Sequence, residues 1–200
     1  MTGFPWRTAP PSAAVDLLGL AAGRSAIRFR LPGDVDLAQQ CAHAHGLSME
    51  YDGIYAVWSR SEAHGRRVMQ VDRSRTPHVA ELGDLLGYPS CCTNAAQASG
   101  EAGIDALAAA ASRWRLSGER ALLDISEYSG GVALLSHVPC GPDCLASVAQ
   151  ARAALAVAAR LASTAANPGR WQAIATRFRD HTPVSPVRTT FPFSRTSFHK

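Results

Sequence analysis

No run of 18 apolar residues passes without a charge, so no membrane-spanning helix is expected. The nearest approach, residues 145–166, is interrupted by Arg152 and Arg160. The first eleven residues lack a charged segment followed by an apolar one, which argues against a secretory signal. A phosphate-cradling glycine loop, a Gly-x-Ser-x-Gly elbow and an HExxH helix are also missing, so common nucleotide, hydrolase and metalloprotease mechanisms have no support. No internal repeat is present. The net charge of +4 and pI near 9.0 hint at an anionic partner. The arginines are scattered, however, with no basic stripe interleaved with aromatics, so nucleic acid is not an expected partner. The chain is expected in the cytoplasm, where thiols stay reduced. Its five cysteines then point away from a disulfide framework and toward metal binding or thiol chemistry.

Hydrophobic residues make up 46% of the 200 residues and charged residues 18%, which suits a globular chain with one sizeable core. Residues 1–14, rich in Pro, Thr and Ser, read as a loose arm, and Asp16 to Ala22 as a short helix. Ile27, Phe29 and Leu31 alternate with basic residues along a half-buried strand. Asp34 and Gly46 bracket a helix. Residues 47–51, 54–60 and 66–72 read as a three-stranded meander, with Asp52-Gly53 as a hairpin turn.

Beyond residue 76 the pattern turns helical. Thr76 and Pro77 start a helix that ends at Gly87, and Ser90 caps the next. A further helix covers about 104–114. Residues 121–126 and 132–137 read as two buried strands around Ser129-Gly130-Gly131. Helices over about 143–166 and 171–179 follow, since alanine favours helix. Residues 181–200 look like a flexible tail whose Phe191, Phe193 and Phe198 offer a docking peptide to a protein partner. The expected class is α+β: a small, mostly antiparallel sheet with a helical C-terminal half, in a single domain over residues 15–180.

Four cysteines fall in two motifs, Gly87-Tyr88-Pro89-Ser90-Cys91-Cys92 and His137-Val138-Pro139-Cys140-Gly141-Pro142-Asp143-Cys144. Both sit after prolines at expected helix starts. Unpaired N–H groups and the partial positive charge there favour a thiolate, the form that ligates metal. Cys140 and Cys144 share a helix face. Cys91 and Cys92 diverge by roughly 100° around a helix, which strains a single tetrahedral zinc and suits two irons of a cluster better. If only one of that pair ligates, His137 could complete a Cys₃His zinc site. The spacing matches neither the common ferredoxin runs nor a zinc ribbon. Cys41 reads as a small buried hydrophobe.

His137 is also a candidate proton donor. Asp124, in an expected buried strand, needs a partner or contacts substrate. Tyr88 reads as a lid over the site. His78 and Glu81 lie one helical turn apart, either reaching the same pocket or paired on a solvated face.

These two motifs resemble a prokaryotic family catalogued as a domain of unknown function, with GYPxCC and HxPCxxxC signatures. The resemblance covers roughly residues 76–160. It implies that Cys91, Cys92, His137, Cys140 and Cys144 belong to one site, and implies no reaction. The expectation is an iron–sulfur enzyme of small-molecule biosynthesis or redox chemistry, acting on a small-molecule substrate. Its rivals are a structural zinc module and a metal-free thiol oxidoreductase.

Overall fold

Helix α1, Ala13–Ala21, has no polar face, and every one of its residues is buried. A helix that is apolar all round belongs inside a core. The computed structural model describes residues 10–74, 78–165 and 168–181, and in it α1 serves two cores at once. Ala13, Leu17 and Leu20 face a sheet, while Ala14, Leu18 and Ala21 face the C-terminal helices. The helix therefore begins before Asp16, and Ala13 and Ala14, assigned from sequence to a loose arm, are fully buried. Residues 1–9 of that arm lie outside the described residues.

The sheet has three antiparallel strands, β1 (Ala26–Arg30), β2 (Ser48–Tyr51) and β3 (Tyr55–Ser59), in the order β1-β3-β2. The Asp52-Gly53 turn joins β2 to β3, as its chemistry dictates. Asp52 Oδ1 accepts the backbone N–H groups of Ile54 and Tyr55 at 2.8 and 2.6 Å. Ile27, Phe29, Ala56 and Trp58 turn one sheet face to α1 and to α2, Val35–Ala44, where Cys41 is also buried. Burial pushes the Cys41 thiol pKa up, so this cysteine is part of the core.

The third expected strand is instead a helix, α3 (Glu62–Asp72). Ser61 Oγ caps it by accepting the His64 N–H. Apolar residues at 68, 69 and 71 fit either period, but β3 already has a neighbour on each side, so the segment lies across the sheet. Val68 and Met69 pack there against Ala26, Val57 and Leu86. α4, Val79–Leu85, adjoins α3; Thr76 and Pro77, its expected start, lie outside the described residues.

α5, Ser90–Ala111, is broken at Gly100, whose φ of 67° and ψ of 175° are not helical. This matches the two successive helices expected from sequence. Residues 121–126 and 132–137 are not strands. Gly118–Leu123 forms a 3-10 turn, and irregular chain follows to Cys144. These runs were read as strands because they are apolar. Leu122, Leu123, Leu134 and Leu135 are indeed buried, but turn bonds and side-chain donors such as Arg177 on the Val132 carbonyl and Tyr88 on the Ser136 carbonyl hold the chain there, not a ladder.

α6, Leu145–Thr164, and α7, Gly169–Arg177, complete that core through Val148, Leu155, Trp171 and Ile174. Among the described residues α6 is the one helix long and apolar enough to cross a membrane. Val148, Ala151, Leu155 and Ala158 on it are buried against protein. The mixed α+β class is thus as expected. The tail from residue 182 lies outside the described residues.

Asp16 is a buried acid in this apolar setting. Arg24 Nη1 stands 3.9 Å from it, and the Tyr128 hydroxyl donates to its Oδ2 at 3.3 Å. Burial, only partly offset by Arg24, raises its pKa to about 6. The folded state thus binds this proton more tightly than the unfolded chain, and the resulting stability is lost as pH rises through 6. Asp16→Asn is therefore expected to remove this loss, so that its melting temperature relative to the unmodified chain is higher at about pH 8 than at about pH 4. Thermal unfolding at the two pH values checks this.

Candidate metal centre

Gly87, just past α4, has a φ of 76°, the left-handed conformation that glycine adopts freely. It turns the chain into Tyr88-Pro89 and the start of α5. A side chain at Gly83 would collide with Thr93, so α4 and α5 lie in close contact. Thr93 also donates to Asp84 Oδ1 at 3.0 Å. These constraints fix Cys91 and Cys92 in the first turn of α5. The second motif ends with Cys144 in the cap position of α6, whose carbonyl accepts the Val148 N–H at 3.0 Å.

The two helix starts meet. The sulfurs of Cys91, Cys92, Cys140 and Cys144 all lie within 4.8 Å of one another. Cys91 Sγ is 3.9 Å from Cys92 Sγ, and each is 3.6 Å from Cys144 Sγ. The adjacent cysteines do not diverge as expected: their sulfurs stand 3.9 Å apart, a separation that the staggered χ1 rotamers of cysteine permit. Cys92 and Cys144 are buried, whereas Cys91 and Cys140 are exposed. The cluster therefore has a protein-facing pair and a solvent-facing pair. The Cys140 N–H points at Cys92 Sγ at 3.4 Å, a donor that stabilises a thiolate.

Electrostatics distinguish the thiols. Burial pushes the Cys144 thiol up, but hydrogen bonds from the Ser147 side chain and backbone and from its neighbouring thiols outweigh it, leaving a pKa of about 7. Burial, and then hydrogen bonding with Cys144 and Cys91, raises Cys140 to about 11. Cys92 is raised too, chiefly by burial. One thiolate forms readily, and its charge opposes a second in the same small volume. A dication would reverse this opposition and displace the remaining protons.

Ser147 is fully buried and stands between the cluster and His137. Its Oγ is 3.3 Å from Cys92 Sγ and 2.9 Å from His137 Nε2. His137 is not within the sulfur set; it lies behind Ser147, two hydrogen bonds from the nearest sulfur. Burial, assisted by the positive charge of Arg24, lowers its pKa to about 3, so the ring stays neutral. Tyr88 covers the ring at a centroid distance of 5.0 Å and donates to the Ser136 carbonyl at 3.2 Å. Arg24 Cζ lies 4.6 Å over the other ring, that of Tyr88.

The remaining candidates sit elsewhere. Asp124 follows the 3-10 turn and is held by Arg177 at 2.6 Å and by the Ser126 N–H at 2.9 Å. Those bonds hold its pKa below the usual carboxylate range against its burial. His78 is exposed at the start of α4, 3.9 Å from Glu81, on a solvated face.

Sequence reading missed Arg24, Ser147 and Gln150. Arg24 donates to the Leu86 carbonyl at 2.9 Å and to Ser136 Oγ, which joins the chain ahead of both motifs. Gln150 Nε2 donates to the Gly87 carbonyl at 2.7 Å. Ser147 and Gln150 could have been noticed as polar positions one turn apart within an alanine-rich helix. Arg24 carries no comparable signal.

Two cavities flank the Ser136–His137 segment. One, of about 240 Å³, is largely apolar and reaches Cys92 between α4 and α5. The other, of about 450 Å³, lies between α1, Gly87 and α6. No protein-family profile matches the chain, and neither curated proteins nor solved structures yield a match.

Ser147→Ala removes the hydroxyl beside Cys92 while leaving the four sulfurs in place. Loss of such a supporting hydrogen bond is expected to weaken metal binding by about 10–100-fold. Chelator competition measures it.

Proposed function

We propose that the chain is a metal-binding protein in which Cys91, Cys92, Cys140 and Cys144 hold a single zinc ion as a structural clamp. The observation that carries this reading is the sulfur spacing. Tetrahedral zinc with bonds of about 2.3 Å holds its sulfurs ~3.8 Å apart, close to the 3.6 and 3.9 Å among Cys91, Cys92 and Cys144, with Cys140 Sγ within 4.8 Å of each. Thiolates on separate irons of a cluster would stand farther apart, because the iron–iron separation adds to the reach of the bonds.

Four thiolates fill a tetrahedral shell and leave no position for water or substrate, which is the mark of a structural rather than a catalytic zinc. The clamp ties the start of α5 to the start of α6, 52 residues apart at Cys92 and Cys144. His137, through Ser147, supports the Cys92 thiolate rather than binding metal itself. In this reading the protein is a binding or regulatory module whose partner docks elsewhere on the fold. The domain-of-unknown-function resemblance is consistent with it through the shared cysteine motifs.

The test is metal analysis of the full chain prepared without air, together with its visible spectrum. One zinc per chain and no colour are expected. Iron and sulfide in near-equal amounts would restore the cluster reading. A metal-free protein whose thiols pair reversibly under oxidant would favour the thiol oxidoreductase.

A further inference from the structure

The 450 Å³ cavity has the size and make-up of a small-molecule site. Its walls are mostly apolar, from Leu134, Leu135, Ala153 and Ala154, and its polar groups converge at one end: Arg24, Ser25, Ser136, His137 and Gln150. The hydrogen bonds already made by those groups determine what they can still offer.

Gln150 donates its amide to the Gly87 carbonyl, which can only accept. Its Oε1 is left as an acceptor. Ser147 Oγ lies between Cys92 Sγ and His137 Nε2. A metal-bound thiolate can only accept, so the Ser147 hydroxyl points at sulfur and its oxygen accepts from His137 Nε2–H. Among the described residues, His137 Nδ1 makes no hydrogen bond, and it is not one of the polar atoms sealed inside the protein. The ring is about nine-tenths buried and lines both the 450 and the 240 Å³ cavities, so Nδ1 is a lone pair offered to one of the two; its direction toward the larger, which also holds Gln150, is part of the proposal. This tautomer rests on the thiolate of the proposed metal site; the cavity does not.

Charge narrows the class further. Arg24 is the one charged residue lining the cavity. Three of its five N–H groups go to the Leu86 carbonyl, Ser136 and the Ala26 carbonyl, and Asp16, facing it at 3.9 Å, offsets its charge. A cationic ligand would meet that guanidinium, and no carboxylate lines the cavity to receive it. An anionic ligand would bring acceptors to the two acceptors, Nδ1 and Oε1. We propose that this cavity binds an uncharged small molecule with an apolar body and N–H or O–H donors directed at His137 Nδ1 and Gln150 Oε1.

Three probes of nearly equal shape test this: benzamide, benzoate and benzylamine. Each is titrated into the ¹⁵N-labelled full chain after its metal content has been measured. Benzamide is expected to shift the Ser136, His137 and Gln150 amide signals, with benzoate and benzylamine weaker by about tenfold or more. Ala153→Leu on the wall and Ala149→Leu at the exposed mouth should each weaken benzamide by about tenfold through filling the space. Equal or tighter binding of either charged probe overturns the proposal. So does the absence of benzamide binding at low-millimolar concentration, or binding that both leucine variants leave unchanged. The ranking on the unmodified chain decides even where a variant does not fold. A chain that carries no metal would instead count against the proposed clamp, so the two failures are distinguishable.

Discussion

Removing the proposed zinc with a chelator is expected to lower the melting temperature of the full chain by roughly 8–16 °C. The magnitude follows from linkage. A ligand present at a thousand times its dissociation constant adds about 4.1 kcal/mol to stability. A chain of this size gains about 2–4 °C per kcal/mol. The proposed clamp closes on two helix starts that are otherwise joined by thiol contacts, by Ser147 on Cys92 and by the Gln150–Gly87 hydrogen bond. Without the ion, the buried Cys92 and Cys144 sulfurs remain crowded with protons to place. Cys92→Ser should reproduce most of the loss and abolish stoichiometric zinc. Cys91→Ser and Cys140→Ser, at solvent-facing positions, should cost less stability while still weakening the metal. Differential scanning calorimetry with parallel metal analysis reads both quantities. Unchanged melting in chelator would remove the clamp from the account.

The sign of the pH dependence follows from the same site. Cys140 and Cys92 hold their protons more tightly than ordinary thiols. The metal must displace those protons, so acid favours the metal-free form. The difference in melting temperature between zinc-loaded and chelated protein should shrink steadily as the pH is lowered.

The site was legible in sequence because its chemistry is local. A thiol pair after Tyr88-Pro89 and a CxxxC after Pro139 each announce a helix start, and two such starts invite one centre. The strand 26–30 and the Asp52-Gly53 hairpin were legible for the same reason, since turn chemistry and alternation are short-range. The segment 62–72 was not. Its apolar residues fit both periods, and what decided between them was that both edges of β3 were already occupied. Residues 121–137 misled because a short apolar run reports burial and not a hydrogen-bond ladder. The divergence of Cys91 and Cys92 was inferred from Cα geometry alone, which ignores the freedom of χ1. Arg24, just ahead of β1, was invisible because the partners that give it a role at the site, Leu86 and Ser136, lie far along the chain.

That long-range role makes Arg24 the second position where a large effect is expected. It is a buried cation that joins α1 through Asp16, the end of α4 through Leu86, and the approach to the second cysteine motif through Ser136. Arg24→Leu strips all three of a partner at once. Breaking a buried pair in this way costs about 3–5 kcal/mol, because the other charge is left uncompensated. Asp16 already has a raised pKa with Arg24 in place. Without Arg24 it holds its proton more tightly still, so the destabilisation should be larger at about pH 8 than at about pH 5. Adding Asp16→Asn to Arg24→Leu should then recover part of the loss at the higher pH, with a coupling of about 0.5–3 kcal/mol. A merely bulk effect on packing would leave the two changes additive and insensitive to pH. Positioning has its own signature as well. The single variant should release zinc to a chelator faster than the unmodified chain under conditions where both are folded. Arg24 fixes the backbone ahead of Cys91 and Cys140, and a loosened approach leaves the sulfurs free to separate one at a time.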